Sequence, residues 1–228
     1  MPASDPLMQD SVNLRRNLIL HARRLNETGL TRNTSGNLSH RVEGGLLVTP
    51  SGMDYARLEP EDIVFLGMDG TPSGRRLPSS EWRFHRDILA ERPEIAVVLH
   101  AHSPFATSLA CLREGIPAFH YMVGVAGGAD LRCAPYATFG TAELSAHAVS
   151  ALAGRRACLL ANHGMIALGG DFERTLKLAV EIETLAEMYW RARQIGQPVI
   201  LDDDEMARVL DKFRSYGKQP PLTGDAAE

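Results

Sequence analysis

The sequence has little of what would direct it to a membrane, to nucleic acid or to an oxidising compartment. No apolar run approaches the roughly 20 residues that a membrane-spanning helix needs. Lysine and arginine number 24 against 28 acidic residues, and the net charge of −4 argues against general affinity for nucleic acid or an anionic membrane surface. Only three cysteines occur, without C-x-x-C spacing, and we interpret them as reduced thiols. We therefore expect a cytoplasmic protein.

The composition is that of an ordinary globular protein, with 44% hydrophobic and 23% charged residues. The first residues, MPASDPLMQDSVN, contain acidic side chains and lack the apolar segment of a signal peptide. No linker, repeat or low-complexity tract divides the chain. We therefore predict one domain over residues 1–228, with mobile ends at about 1–9 and 217–228.

Strands and helices are interspersed along the chain without strict alternation. Periodicity and capping residues predict helices over about 10–27, 79–90, 171–195 and 203–213, and further helices starting at Ser103-Pro104 and Thr141. Apolar runs predict strands near residues 37, 45, 63, 95, 157 and 165. The glycine-, proline- and aromatic-rich stretch 115–140 predicts short strands and loops. The pattern indicates one α/β layered domain, in which helices pack on a sheet.

Two histidines end the buried-looking strand in VVLHAHSPF, residues 97–105. Because successive side chains of a strand point to opposite faces, His100 and His102 share a face. Considered alone, the pair has two interpretations. Both imidazoles could be neutral and bind a metal ion, or they could end the strand with hydrogen bonds to the backbone.

Two further residues favour the metal interpretation. His163 lies in the turn Asn162-His163-Gly164 between two predicted strands, and Glu81 starts the helix that leads into the His100 strand. Three histidines and one carboxylate form a competent site for zinc or a similar divalent ion. Each residue also has a purely structural alternative, since a glutamate is favoured at a helix N-terminus and a histidine can occupy a tight turn.

A second group of residues is typical of a phosphate-binding cradle. Anion sites use small residues, hydroxyl groups and backbone N–H groups at helix N-termini. Three segments have this character: Gly36-Asn37-x-Ser39, Thr49-Pro50-Ser51-Gly52 and Pro78-Ser79-Ser80. The last segment directly precedes Glu81, so a phosphate there would lie one short substrate away from a metal. The same residues also make ordinary turns and helix caps.

Five segments in chain order resemble the class II aldolase/adducin family: LPSSEWRFH, VVLHAHS, IPAFHYM, APYATFGT and NHG. The resemblance extends from about Leu14 to Gly217. Within the family, the sequence is most similar to the aldolases that act on L-fuculose 1-phosphate. It implies an α/β domain with a central, mainly antiparallel sheet flanked by helices. It also implies a homotetramer with active sites at the subunit interfaces.

The resemblance implies a role for each matched residue. It makes His100, His102, His163 and Glu81 the ligands of one Zn²⁺, or another divalent cation such as Mn²⁺ or Co²⁺, per subunit. Glu81 then leaves the metal to act as acid and base. The substrate phosphate is expected at Gly36, Asn37, Ser51, Gly52, Ser79 and Ser80, although Ser51 stands where the family pattern has threonine. Two tyrosines are expected to be catalytic: Tyr121, reaching into a neighbouring subunit, and Tyr216 near the C-terminus.

The implied reaction is the reversible, metal-dependent cleavage of a ketose 1-phosphate to dihydroxyacetone phosphate and a small aldehyde. Candidate substrates are L-fuculose 1-phosphate and 5-deoxypentulose 1-phosphates such as 5-deoxyribulose or 5-methylthioribulose 1-phosphate. Alternatives on the same metal site are a sugar-phosphate epimerase, a methylthioribulose-1-phosphate dehydratase and a keto-acid phosphate decarboxylase. The non-enzymatic adducin head shares the fold but would be expected to lack the metal histidines. The sequence does not distinguish which aldehyde the substrate would release.

Several other residues have a structural and a functional interpretation. His85 lies one helical turn after Glu81, and we expect it to support Glu81 or to pack rather than to bind metal. Phe139 is a candidate wall of the aldehyde pocket, with core packing as the expected role. Glu183 belongs to the mixed surface of the 171–195 helix.

Overall fold

Eight strands form one mixed sheet, and six α-helices cover its two faces, in the computed structural model, which describes residues 8–214. The strands are β1 (Asn37–Val42), β2 (Gly45–Val48), β3 (Val64–Gly67), β4 (Pro72–Ser73), β5 (Val97–Ala101), β6 (Cys133–Ala134), β7 (Ala157–Leu160) and β8 (Gly164–Gly169). The helices are α1 (Val12–Glu27), α2 (Trp82–Glu91), α3 (Pro104–Cys111), α4 (Ala142–Ala151), α5 (Phe172–Ile195) and α6 (Asp203–Phe213).

The strands are ordered β4-β3-β2-β1-β5-β8-β7-β6 across the sheet. Every neighbouring pair is antiparallel except β6 and β7, which are parallel. The predicted α/β domain with a central, mainly antiparallel sheet flanked by helices is therefore confirmed.

Strand β5 is buried on both faces, which explains why it begins with the apolar run Val97-Val98-Leu99. Val97, Leu99 and Ala101 pack into the core formed with α1, α3 and α5, whereas Val98 packs into the core formed with α2 and α4. His100 alternates with these residues and shares the face of Val98. The strand thereby delivers an imidazole to the α2 side of the sheet.

The register between β1 and β5 determines which residues lie beside His100. Asn37 is paired with His100 and Ser39 with Val98. Because residues two apart in a strand share a face, Asn37 and Ser39 both point to the α2 side. This long-range pairing brings the predicted phosphate segment 36–39 against the predicted metal strand.

The helix starts mostly follow their capping signals. The side chains of Thr141 and Asp171 accept hydrogen bonds from the backbone N–H groups of Leu144 and Arg174, as expected of N-cap residues. Ser103 precedes α3 with Pro104 in the first turn, but its hydroxyl makes no cap bond. It donates instead to Glu183 of α5, which accepts the N–H groups of Phe105 and Ala106. Glu183, which we expected on a mixed helix surface, is therefore the cap of α3.

The remaining sequence expectations differ from the structure mainly at boundaries. Within 115–140, the chain forms a 3₁₀ helix over Tyr121–Ala126 as well as the two-residue strand β6. The expectation of mobile ends falls almost entirely outside the described residues. None of the helices between residues 8 and 214 is long and apolar enough to cross a membrane.

Candidate active site

The four predicted metal ligands converge at one end of β5. Glu81, His100, His102 and His163 each offer one ligand atom, and these atoms lie within 4.8 Å of one another. Glu81 Oε2 lies 3.2 Å from His100 Nε2, and Glu81 Oε1 lies 3.0 Å from His163 Nε2. His100 Nε2 and His102 Nε2 are 2.9 Å apart. The structure thus brings together side chains that lie up to 82 positions apart in the sequence.

The chemistry of this donor set fits a divalent cation. His100 Nδ1 lies 2.9 Å from the carbonyl oxygen of Met165 and donates to it, which leaves the Nε2 lone pair directed at the cluster. Glu81 Oε1 is buried and accepts no hydrogen bond of good geometry among the described residues. Converging lone pairs and an unpartnered carboxylate oxygen are costly in a buried site unless a cation neutralises them.

The protonation states at neutral pH suit metal binding. Burial lowers the pKa of His100 to about 3 and also lowers the pKa of His102, so both imidazoles are neutral. Burial alone would raise the pKa of Glu81, but its interactions with His100, His163 and Asn37 outweigh burial and hold that pKa well below its ordinary range. Neutral imidazoles and an ionised carboxylate are the forms that bind zinc and similar cations.

The turn between β7 and β8 positions His163. Asn162 adopts a left-handed conformation with φ of 53°, which asparagine tolerates better than most residues. Gly164 follows, and a Cβ at this position would lie 2.4 Å from the carbonyl oxygen of Ala101 and 2.9 Å from the ring of His102. Glycine is required here because the turn packs directly against the histidine strand. The Asn-His-Gly pattern therefore has a steric cause.

A cavity of about 330 Å³ opens beside the cluster. Glu81, His102 and His163 form part of its wall, whereas His100 is fully buried behind them. All six predicted phosphate residues also line this cavity: Gly36, Asn37, Ser51, Gly52, Ser79 and Ser80. The metal candidates and the phosphate candidates thus face one common space.

Gly36 shows why the phosphate side is built from small residues. Its φ is 91°, and a Cβ would lie 2.8 Å from the carbonyl oxygen of His100. The Tyr55 hydroxyl donates to the Gly36 carbonyl at 2.6 Å and fixes the loop. Elsewhere in the cavity wall, Ser79 Oγ accepts the N–H of Glu81 at 3.2 Å, so the serine hydroxyl orients the start of α2.

Of the two predicted catalytic tyrosines, only Tyr121 is among the described residues. Tyr121 is half-exposed at the start of the 3₁₀ helix and does not line the cavity within this chain. Its position agrees with a role outside its own subunit and does not test that role. Tyr216 lies outside the described residues.

Sequence reasoning missed several residues that line the cavity, among them Thr34 and Tyr136. Phe139 also lines it and is exposed, so the expectation that it packs in the core was wrong. Gly140 allows the segment that contains Tyr136 and Phe139 to approach the site: its φ is 77°, and a Cβ there would lie 2.8 Å from the carbonyl oxygen of Ser80. The glycine in APYATFGT was the available signal, since only glycine fits such a close approach at positive φ.

Comparison with known proteins agrees with this geometry. Residues 16–190 match the sequence model of the family described as Class II Aldolase and Adducin N-terminal domain. The chain is 58% identical over 214 residues to the 5-methylthioribulose-1-phosphate/5-deoxyribulose-1-phosphate aldolase of Rhodospirillum rubrum, covering 94% of this chain and 97% of that protein. It is 44% identical over 205 residues to the L-fuculose phosphate aldolase of Escherichia coli, covering 90% and 95%.

A solved structure of an L-fuculose 1-phosphate aldolase superposes with a TM-score of 0.87 at 42% identity, covering 90% of this chain and 98% of the other. The chain therefore belongs to the class II aldolase/adducin family. Its enzymatic class is that of the aldolases, which are lyases, and class II aldolases depend on a metal. The Glu81 and histidine cluster is the group of described residues that could hold such a metal.

Proposed function

We propose that this chain cleaves a ketose 1-phosphate to dihydroxyacetone phosphate and a small aldehyde in the cavity beside Glu81. One observation carries the proposal. The four metal candidates and the six phosphate candidates line or adjoin the same cavity of about 330 Å³, which suits a small sugar phosphate. A phosphate on the glycine and serine loops would direct the carbon chain of the ketose toward the histidines.

We propose that His100, His102, His163 and Glu81 hold one zinc ion, since imidazole nitrogens and a carboxylate suit zinc. A divalent cation there supplies a Lewis acid that polarises the ketose carbonyl and stabilises negative charge on its oxygen. Imidazole nitrogens bind a metal as uncharged donors and would leave most of the cation's charge available to the substrate.

The protein groups bind and orient the substrate and move the protons. The backbone N–H groups and hydroxyls near Gly36, Ser51 and Ser79 bind the phosphate and fix the position of the reacting carbons. Glu81 carries the proton at C3: it removes the proton in the addition direction and returns it in cleavage. Tyr121 from a neighbouring copy of the chain serves the C4 oxygen as the aldehyde forms.

Among ketose 1-phosphates, the relatives favour two types of substrate. The relative at 58% identity is named for 5-methylthioribulose and 5-deoxyribulose 1-phosphates, and the relative at 44% is named for L-fuculose phosphate. We place the 5-deoxypentulose 1-phosphates first. The exposed rings of Tyr136 and Phe139 at the cavity supply an apolar wall for a methyl or methylthio end.

The test is release of dihydroxyacetone phosphate, followed with a coupled reductase, from protein with a measured metal content. The candidate substrates are 5-methylthioribulose, 5-deoxyribulose and L-fuculose 1-phosphates, compared by kcat/KM. Release from at least one of them is expected, with the deoxypentuloses cleaved more efficiently. If protein that holds about one metal per chain releases no dihydroxyacetone phosphate, the proposed cleavage of these ketose 1-phosphates is wrong. The epimerase, dehydratase or decarboxylase alternatives would then be favoured.

We further propose that the protein is a cytoplasmic homotetramer. The three cysteines are unpaired in the structure, as a reducing compartment requires, and Tyr121 is half-exposed where a neighbouring copy could receive it. Sedimentation equilibrium should give about four times the chain mass of 24.9 kDa. A monomer at assay concentration would contradict the assembly.

A further inference from the structure

A buried chain of hydrogen bonds leads away from Glu81 into the core between α2 and the sheet. Asn37 Nδ2 donates to Glu81 Oε2 at 2.9 Å, and Asn37 Oδ1 lies 2.5 Å from His85 Nε2. The other ring nitrogen, His85 Nδ1, lies 2.8 Å from Ser39 Oγ. His85 and Ser39 are fully buried, and Asn37 and Glu81 are nearly so. Neither Ser39 nor His85 lines the cavity.

The fold places these four residues together through two separate periodicities. Asn37 and Ser39 share the α2 face of β1, and the pairing of Asn37 with His100 brings both residues close to the metal cluster. On α2, His85 lies one helical turn after Glu81, so both side chains meet the same strip of the sheet. A single imidazole thus spans the space between the two β1 side chains.

The directions of these hydrogen bonds are determined by the carboxylate at one end. Ionised Glu81 can only accept, so Asn37 must present its amide nitrogen to Glu81 and its amide oxygen to His85. That oxygen needs a donor, so His85 must carry its proton on Nε2. Neutral His85 then accepts on Nδ1, and the Ser39 hydroxyl is the donor that satisfies it. Reversing any one bond would set two acceptors or two donors against each other.

We propose that His85 is a positioning residue for the reaction: through Asn37 it holds the Glu81 carboxylate in the orientation required at the metal cluster. Without the Nε2–H donor, the buried Asn37 amide oxygen has lost the partner that fixes the plane of the amide. The Asn37 N–H is then held less firmly against Glu81, and the carboxylate can leave its orientation at the cluster. Removal of a residue that hydrogen-bonds to or orients a metal ligand commonly lowers metal affinity or activity by about 10- to 100-fold.

Two amide substitutions at one position isolate the Nε2 donor. His85→Gln places an amide nitrogen near the former Nε2 and keeps a donor for Asn37. His85→Asn is one carbon shorter, reaches only the former Nδ1 position and leaves Asn37 without a donor. Both variants bury one neutral amide in the same cavity, so unspecific destabilisation affects them alike. Thermal unfolding of the two variants is the control: both should be folded and should have similar melting temperatures.

We expect His85→Asn to lose about 10- to 100-fold in kcat with KM within about threefold of wild type, and His85→Gln to stay within about threefold in both. Zn²⁺ affinity, measured by competition with a chelator and without substrate, should fall in His85→Asn and be retained in His85→Gln. Equal kcat and equal Zn²⁺ affinity in the two variants would overturn the proposal.

A measurement on the unmodified chain keeps the proposal testable if His85→Asn does not fold. With ¹⁵N-labelled histidine and Zn²⁺ bound, the NMR shifts of His85 should report the Nε2–H tautomer. An Nδ1–H tautomer would overturn the inferred direction of the chain. The kcat comparison rests on the proposed aldolase reaction, whereas the tautomer and the Zn²⁺ affinity do not. Failure of the reaction and failure of the positioning role are therefore distinguishable.

Discussion

Glu81 is a carboxylate buried among three imidazoles. Asn37 fixes Oε2, whereas Oε1 lies 3.0 Å from His163 Nε2 and accepts no hydrogen bond of good geometry from residues 8–214. Such a group is expensive to bury and can be expected to serve chemistry rather than stability. Both oxygens face the histidines, and the hydrogen bond from Asn37 to Oε2 limits rotation of the carboxylate. The residue thus combines metal affinity with a defined position for proton transfer.

Replacing this carboxylate gives a prediction about catalysis. Glu81→Gln should lower kcat by about 10²- to 10⁴-fold, because the amide oxygen still accepts from Asn37 but cannot take a proton. Circular dichroism should show an unchanged fold. Glu91→Gln, an exposed position at the far end of α2, is the matched control and should retain wild-type kcat. Full activity in Glu81→Gln would remove Glu81 from proton transfer.

Asp62 illustrates a buried charge whose role is structural. It accepts hydrogen bonds from Arg75 at 2.9 Å and Arg76 at 2.7 Å, and from the N–H of Glu59 at 3.0 Å. Burial alone would raise the pKa of Asp62, but these hydrogen bonds outweigh burial and hold the pKa well below its ordinary value. The ionised carboxylate ties the 3₁₀ helix Pro60–Asp62, which precedes β3, to the bend that follows β4.

Asp62→Asn should therefore lower the free energy of unfolding by about 1–2 kcal/mol at neutral pH, a modest loss because both guanidinium groups are half-exposed. A depressed folded pKa stabilises the protein above the unfolded pKa of about 3.9 and loses this effect as pH falls through the folded value. The difference in free energy of unfolding between wild type and Asp62→Asn should be constant above about pH 5 and shrink below about pH 4.

Urea unfolding across this pH range measures the difference in free energy of unfolding. Glu61→Gln, at an exposed position, is the control. A difference that grows at low pH would contradict the assignment.

At the scale of elements, α3 depends on α5 for its N-terminal cap. Glu183 Oε1 accepts the N–H of Phe105 at 2.8 Å, and Oε2 accepts the N–H of Ala106 at 2.9 Å. The Ser103 hydroxyl donates to the same carboxylate at 2.6 Å. Since Ser103 directly follows His102, this contact also fixes the backbone at the end of the histidine strand.

Glu183→Ala should lower the free energy of unfolding by about 2–3 kcal/mol. It leaves two helix N–H groups without partners and the buried Ser103 hydroxyl with only the weak acceptor Met165 Sδ at 3.4 Å. Glu187→Ala is the matched control, one turn further along α5, where the glutamate makes an exposed ion pair with Arg191. That variant should lose less than about 0.5 kcal/mol. Chemical denaturation compares the two, and losses of equal size would refute the capping role.

The capping of α3 also shows where sequence reasoning about elements succeeds and fails. Ser103-Pro104 correctly predicted the start of α3, because the preference of proline for the first helical turn is local. The identity of the cap depended on a residue 80 positions away in the chain. A glutamate in the middle of a long helix carries no local sign of such a contact.

At the scale of the whole molecule, the metal candidates join three parts of the fold. Glu81 precedes α2, His100 and His102 mark the end of β5, and His163 lies in the turn before β8. A cation bound by all four would add a further link between elements that already meet through packing and hydrogen bonds. Metal binding should therefore stabilise the native fold and not only supply chemistry.

Removing the metal should lower the melting temperature by about 10 °C, since a ligand at 1,000 times its Kd adds about 4 kcal/mol to stability. Scanning calorimetry with and without a chelator measures the shift, and added Zn²⁺ should reverse it. In His163→Ala the chelator should have much less effect. If the chelator lowers the melting temperature equally in wild type and in His163→Ala, the stabilising cation is bound at another site.

The proposed tetramer yields a test by mixing subunits. Glu81→Gln and Tyr121→Phe should each be nearly inactive alone. If each site combines Glu81 of one copy with Tyr121 of another, unfolding and refolding a 1:1 mixture should restore about a quarter of the sites. Refolding each variant alone is the control. No recovery in a mixture shown to be tetrameric would place both residues of each site in one subunit.

The sequence by itself determined the local features of this protein. Alternation in VVLHAHSPF predicted that His100 and His102 share a face, and the capping signals at Thr141 and Asp171 predicted two helix starts. These features depend on neighbours in the chain, so a periodicity of two or 3.6 residues is enough to identify them. The resemblance to the family could likewise be recognised from the sequence, because each motif is a short stretch of neighbouring residues.

Only the tertiary structure decided which side chains meet. The pairing of β1 with β5 puts Asn37 opposite His100, and the packing of α2 on that face puts His85 between Asn37 and Ser39. Return of the APYATFGT loop brings Phe139 to the cavity. Register and packing follow from burial of apolar surface across the whole sheet, which no single segment specifies. The histidines could be predicted from their spacing, whereas the buried chain that orients Glu81 exists only after the sheet and α2 have packed together.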